Sequence, residues 1–310
     1  MASRAARVVQ HISIMRAALL INSRAGKSRA GAPLSEAALV SALEAAGWTV
    51  PCRITEEQLD RNPSDLARHA DVVVTVGGDG TVARVAKRLA EPDLRGMAMT
   101  ILPAGTINNV ARSLGISVDP MVAAAQLART TERRVDLGTI SMGARKEYFL
   151  EGFSAGVLAH VLAEKAGREH KSLPKATSLL ARELKTYEPH HYLIDADEHD
   201  LSGNYLLIAI MNIRTLGPAL RLAPGAACDD GQLEVVRVRP EIKDALIEAL
   251  EDVEIPADIE LPSFEVSRAR RVHIRSDLHW AHRDDASCQI DGAIEIGIEA
   301  GAVRMLVPGA

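Results

Sequence analysis

The strongest chemical signal in this chain is Gly77-Gly78-Asp79-Gly80-Thr81. It follows the run Val72-Val73-Val74-Thr75-Val76 and precedes Val82 to Leu89, whose apolar spacing is helical. A continuous β-branched run suits a strand buried on both faces of a parallel sheet. Glycines at a strand-to-helix junction permit positive φ and close backbone approach, and the helix N-terminus offers free N–H groups to an anion. Open α/β sheets bind ligands at such carboxyl ends of strands. The plain alternative is a tight turn with an Asp cap; Asp-Gly-Thr within the pattern favours a phosphate cradle.

A second junction, Leu102-Pro103-Ala104-Gly105-Thr106-Ile107-Asn108-Asn109, joins the buried run Met97 to Leu102 to a helical stretch over Asn108 to Leu114. Thr106 can donate its hydroxyl to a phosphate oxygen or cap its own helix. Two such junctions on neighbouring strands favour one shared nucleotide site. A third, Asn22 to Ser28, follows the apolar run Ala17 to Ile21 and contains Gly26-Lys27-Ser28. A P-loop needs a glycine five positions before Gly26, where Ile21 stands, so that motif is rejected. The loop still brings amides and Lys27 to the same edge.

The elements that must carry these loops alternate. Residues 35–46 read as a helix, Thr49 to Ile54 as a strand and 63–69 as a helix, so repeated strand–helix units point to an open α/β sheet. After Arg134 the character changes. Val135 to Ile140 and Tyr148 to Phe153 flank the turn Ser141-Met142-Gly143-Ala144 and read as a hairpin. Two helices follow, near 156–168 and 175–186. Strands are expected at 190–196, 203–212, 232–238 and 270–275, with short ones continuing to Val307, and a helix over Glu241 to Leu250. The expected organisation is a nucleotide-binding α/β domain over 15–135 and a β-rich domain over 136–310, whose C-terminal tail can return to the first. Residues 1–14 read as a loose extension.

Composition narrows the function. The chain has 310 residues, 47% apolar and 25% charged, which fits a globular protein of about two domains. A net charge of -5 gives no electrostatic footprint for nucleic acid, and 3% aromatics give no stacking platform for single strands. Cys52, Cys228 and Cys288 form no CxxC pair, which excludes a zinc ribbon or redox motif and suits a reducing cytoplasm. No apolar run is long enough to span a bilayer, and no signal peptide precedes Arg16.

Together the junctions resemble the diacylglycerol kinase catalytic domain family, the bacterial soluble lipid kinases related to sphingosine and ceramide kinases. Val74 to Thr81 is similar to the family's GGDGT strand–loop and Leu102 to Gly115 to its LPxGTxNDxARxLG segment. Arg134-Val135-Asp136-Leu137-Gly138, Ser154-Ala155-Gly156 and the stretch Asn212 to Gly231 follow in the family's order. GGDGT alone is shared with NAD kinases; the series is far more specific. The resemblance implies a phosphofructokinase/NAD-kinase-like α/β domain followed by a β-sandwich, and ATP with Mg2+ as cofactors. It implies nucleotide contacts from Asn22, Ser23, Arg24, Ala25, Gly26, Thr55, Gly77, Gly78, Asp79, Gly80, Thr81, Val82, Ala83 and Thr106. It also implies a structural magnesium on Asp230 with the carbonyls of Ala227 and Gln232, although Asp229-Asp230-Gly231 alone reads as an ordinary hairpin turn.

Phosphoryl transfer needs positioning, charge neutralisation and a base near the acceptor hydroxyl. The family's Asp-Gly-Glu is Asp291-Gly292-Ala293 here, so Asp291 is the expected base, with Asp79 in reserve and Glu295 on the same strand face as Ala293. Two further departures are Ala83-Arg84 for the family's Asn-Glu and Asn109 for its Asp. Lys165, Arg168, Lys171, Lys175, Arg182 and Lys185 read as a solvated helix face or as a brief contact with anionic lipid. His190, His191, His273, His279 and His282 lack metal spacing and read as strand-surface histidines. The expected partner is a lipid substrate met at a membrane surface, with a homodimer left open. The alternatives are a degenerate member that binds nucleotide or lipid as a sensor or carrier, and a small-molecule kinase of the NAD kinase type.

Overall fold

The computed structural model describes residues 15–22, 35–61, 63–143, 145–164, 173–217, 220–251, 261–284, 286–290 and 292–309. The chain divides into two compact units, Met1–Val135 with Gly301–Ala310, and Asp136–Ala300.

In the first unit, strands β1 (Met15–Ile21), β2 (Trp48–Ile54), β3 (Val72–Gly77) and β4 (Ala98–Pro103) alternate with helices. These helices are α1 (Glu36–Ala45), α2 (Glu56–Arg61), α3 (Pro63–His69), α4 (Asp79–Leu89), α5 (Asn109–Ser113) and α6 (Pro120–Gln126). β5 (Thr130–Met142) leads out of the unit. The strands lie in the order β4-β3-β1-β2, all parallel, with Leu19 opposite Val74 and Val74 opposite Thr100. Arg304 and Met305 pair in parallel with Ala98 and Met99 on the outer side of β4. β3 and β4 are buried throughout, as their β-branched and apolar runs require.

Two helices go beyond the sequence reading. α2 is opened by Thr55, whose Oγ1 accepts from Gln58 N–H at 3.2 Å while Gln58 Oε1 accepts from Thr55 N–H at 2.8 Å. α6 is capped by Asp119, which accepts from the amides of Met121 and Val122. α4 begins at Asp79 rather than Val82, because Gly78 is its extended N-cap. The Asp-Gly-Thr of the motif is therefore the first helical turn itself.

In the second unit the expected strand Tyr148 to Phe153 is broken in two. β6 (Arg145–Phe149) forms the hairpin with β5, whereas β7 (Gly152–Gly156) belongs to a different sheet. The break has a physical cause. Asp284, at φ 52°, accepts the amides of Leu150 and Glu151 at 2.9 and 2.8 Å and so bends the chain between the strands.

The remaining elements are α7 (Val157–Glu164), α8 (Leu173–Thr186), β8 (His190–Ala196), β9 (His199–Asp200), β10 (Gly203–Tyr205), β11 (Leu207–Met211), β12 (Leu233–Val238) and α9 (Lys243–Glu251). Then follow β13 (Glu265–Ala269), β14 (Arg271–Arg275), β15 (Trp280–Arg283), β16 (Ala286–Gln289) and β17 (Ala293–Pro308), which ends in the first unit. One antiparallel sheet runs β13-β12-β11-β7-β15-β16, and β10, β8, β14 and the start of β17 pair in a second. Phe149, Phe153, Tyr192, Ile194, Ile210, Val235, Ile274 and Ile296 fill the space between the sheets. The other face of the six-stranded sheet carries Ala209, Met211, Val236 and Val238 against Leu158, Leu180, Leu184 and Leu250 of the helices. This double burial explains why β7, β11 and β12 lack polar alternation.

Candidate functional site

Because β4, β3, β1 and β2 are parallel neighbours, the loops after them share one edge. Asn22 follows β1, Thr55 follows β2, Gly78 to Thr81 follow β3, and Ala104 to Thr106 follow β4. Asn22 N–H donates to Val76 O at 3.0 Å, and its Nδ2 donates to the buried Thr81 Oγ1 at 2.6 Å, so the end of β1 is tied to the first turn of α4. Of the sequence-predicted nucleotide contacts, Asn22, Thr55, Gly77 to Ala83 and Thr106 are thus gathered on one edge. Ser23, Arg24, Ala25 and Gly26 lie outside the described residues.

The glycines act through closeness, not through positive φ. Gly78 sits at φ −92°, ψ −175°, and none of Gly77, Gly78, Gly80 and Gly105 has positive φ. Instead a Cβ on Gly105 would stand 2.5 Å from Gly78 Cα, and one on Gly78 would stand 3.1 Å from Gly105 Cα. The two loops therefore touch backbone to backbone, continuing the β3–β4 ladder through Ala104 N–H to Gly77 O at 2.9 Å.

The positive φ falls on Asn108 (φ 59°), a residue type that tolerates this region. Its Oδ1 accepts from Gly105 N–H and its Nδ2 donates to Gly105 O, both at 3.0 Å, which locks the loop. Asp79 crosses between the junctions, its Oδ1 accepting from Val110 N–H at 3.0 Å in the first turn of α5. Thr106 does not cap α5; that position is Asn108, and Thr106 stands exposed. The Thr55 hydroxyl is engaged in capping α2. The edge presents the first turn of α4, whose N-terminus favours an anion, beside a rigid second loop with Thr106 exposed, an arrangement suited to a phosphate chain.

Arg84, at the family's acidic position, pairs with Glu56 and Asp60, clipping α4 to α2. Its role is visible only in the fold, since the partners are far apart in sequence.

In the second unit the stretches that follow the family's order meet at a buried polar node. Asp136 Oδ2 accepts from Gly231 N–H at 2.7 Å, and Asp136 N–H donates to Cys228 O at 2.7 Å. Asn212 Nδ2 donates to Asp136 O and Leu150 O at 2.9 and 2.8 Å. Both side chains are almost fully buried.

The residues around Asp230 do not fit a structural magnesium. Asp230 Oδ1 accepts from Gln232 N–H at 3.0 Å, and Arg268 Nη1 lies 3.6 Å from its Oδ2. The carboxylate that would anchor the ion thus faces a guanidinium. Among the described residues no group of three or more His, Cys, Asp or Glu is placed to hold a metal.

Asp291 lies outside the described residues, as do Lys165, Arg168 and Lys171. Ala293 and Glu295 both face outward on β17, alternating with the buried Ile294 and Ile296, and Arg271 Nε lies 3.8 Å from Glu295 Oε1. His282 is no surface histidine. It is 2% exposed, opposite Ser154 of β7 on the face covered by helices, and burial holds its pKa down at about 4. No helix among the described residues is long and apolar enough to cross a membrane.

Comparison with known proteins follows these two units. A Pseudomonas aeruginosa protein named "Probable lipid kinase YegS-like" is 34% identical over 204 residues, covering 64% of this chain and 65% of the relative, so the match spans just under two thirds of that protein. A Stenotrophomonas maltophilia protein of the same name is 27% identical over 279 residues, covering 84% of this chain and 88% of that one. The crystal structure of a diacylglycerol kinase from Bacillus anthracis superposes with a TM-score of 0.70 at 20% identity, over 96% of this chain and 98% of that one, and so shares its fold. An NADH kinase from yeast, complexed with NADH, aligns at 0.52 and 9% identity, over 100% of this chain and 89% of that one. Residues 16–140 match the diacylglycerol kinase catalytic domain, and residues 151–308 match the YegS C-terminal NAD kinase beta sandwich-like domain. With its α/β unit and β-sandwich matched in that order, the chain belongs to the YegS-like branch of the diacylglycerol kinase catalytic domain family.

Proposed function

We propose that the chain is an ATP-dependent lipid kinase that transfers the γ-phosphate to a hydroxyl of diacylglycerol or a related lipid. The observation that carries this reading is the backbone contact between Gly78 and Gly105, which fuses two amide-bearing loops into one phosphate-binding edge. The names of the curated relatives support the lipid acceptor. The first-turn amides of α4 and the exposed Thr106 hold the phosphates, and Asp79 fixes the second loop's helix. ATP enters as its magnesium complex, and the ion neutralises charge on the transferring phosphoryl group.

Asp291 is the proposed base. It takes the acceptor hydroxyl's proton as that oxygen bonds to the γ-phosphorus and the bond to the β-phosphate oxygen breaks, releasing ADP. Glu295 is the poorer choice because Arg271 neighbours its carboxylate. The acceptor is met at a lipid surface in transient contact.

The test is phosphate transfer from labelled ATP to a panel of lipids in mixed micelles, with Asp79→Ala and Asp291→Ala beside the wild type. Phosphorylation of a lipid, lost in Asp291→Ala while ATP still binds, supports the assignment. Tight ATP binding with no acceptor turned over selects a sensor or carrier, a reading favoured by Ala293 at the family's carboxylate position. Failure to bind ATP overturns both readings.

A further inference from the structure

We propose that the guanidinium of Arg268 takes the place of a divalent cation in the loop over residues 225–234, so that this loop folds without metal. Arg268 lies on β13 directly opposite Glu234 of β12. Its Nε donates to Glu234 Oε1 at 2.8 Å, its Nη2 to Gly225 O at 3.2 Å, and its Nη1 lies 3.6 Å from Asp230 Oδ2. Two carboxylates and a backbone carbonyl are the oxygen donors a hard cation collects. A guanidinium meets the same set, donating N–H bonds to Glu234 and the carbonyl and pairing by charge with Asp230.

Three further features agree. Glu234 is 7% exposed, so its carboxylate needs a cationic partner, and Arg268 supplies one from the neighbouring strand. The loop's other side is held by the Asp136 carboxylate, which accepts from Gly231 N–H at 2.7 Å, so a protein hydrogen bond fixes it there. A divalent ion on Asp230 would also stand beside the guanidinium, where like charge opposes it. This inference is independent of the acceptor and of the phosphoryl-transfer reading.

The experiment is thermal unfolding of the full chain without nucleotide, in EDTA and in excess Mg2+, with Mn2+ binding followed by its paramagnetic resonance. The wild type is expected to melt at the same temperature in both buffers. Arg268→Gln is expected to melt lower in EDTA and to regain about 2–4 °C in Mg2+ as the vacated oxygens take the ion. It gains one Mn2+ site over the wild type, and Asp230→Asn in that background removes both responses. Arg268→Lys, which keeps the charge but not the fork, melts between the two with no response to Mg2+. A Mg2+-dependent rise in the wild type that Asp230→Asn abolishes overturns the proposal. So does an Arg268→Gln variant that shows no response to Mg2+.

Discussion

Substituting Gly105 by alanine is the sharpest probe of the fused phosphate edge. The new Cβ would stand 2.5 Å from Gly78 Cα and 2.8 Å from Asn108 Oδ1, where ordinary contact begins near 3.4 Å. One neighbour is backbone and the other is the side chain that locks the loop, so neither yields without displacing the site. The loops must part by roughly 1 Å, a misplacement of the size that costs about 10²-fold in a positioned reaction. Overpacking of this kind also costs ~1–3 kcal/mol of stability. Gly78→Ala meets Gly105 Cα at 3.1 Å and should do less harm. Gly225→Ala, whose nearest neighbour is 3.9 Å away, is the control for a glycine lost without crowding. ATP affinity by calorimetry and melting temperature should therefore rank Gly105→Ala below Gly78→Ala below Gly225→Ala. A Gly105→Ala protein that binds ATP and melts with the wild type would refute the contact as the basis of the site.

Asn108→Ala loses both bonds to Gly105 and places alanine at φ 59°, a loss of ~2–4 kcal/mol, whereas Asn108→Gly keeps the backbone and loses about half of that by chemical denaturation. His282 is neutral when folded, with a pKa near 4, and titrates near 6.5 when unfolded, so the unfolded chain binds more protons between those values. Stability should fall by roughly 3 kcal/mol as pH drops from 6.5 to 4, and His282→Gln should flatten that limb of a denaturation series. Asp136→Ala leaves the Gly231 amide without its carboxylate and should cost ~1–3 kcal/mol, while Asp136→Asn, which keeps an acceptor, should cost less on the same assay.

Much of the first unit was legible because its strands are unbroken apolar runs and its junctions carry glycine. The edge shared by Asn22, Gly78 and Thr106 followed from parallel order alone. What escaped were features made by partners distant in sequence. Arg84 against Glu56 and Asp60, Asp79 on the Val110 amide, and Arg268 against Glu234 are each set by packing. His282 looked superficial because nothing in its neighbours announces the helices that cover β15. Two misses did have local signals. Thr55-Glu56-Glu57-Gln58 is a capping box that starts α2, and Asp119-Pro120 is an N-cap with proline in the first turn of α6. Asp284 bending the chain after Phe149 had none, since it sits in the turn after β15, far along the chain.

The pairing of Arg304 and Met305 with Ala98 and Met99 also fixes an order of events during synthesis. The outer side of β4 gains that neighbour only after the whole second unit has left the ribosome. Until then a newly made first unit shows a buried-type apolar strand as an open edge, the kind of surface that recruits other chains. An isolated piece ending near residue 135 should therefore be collected from inclusion bodies rather than from the supernatant. Supplying residues 301–309 as a separate strand is the natural remedy. The end of the chain thus acts as the latch that makes its beginning safe to expose.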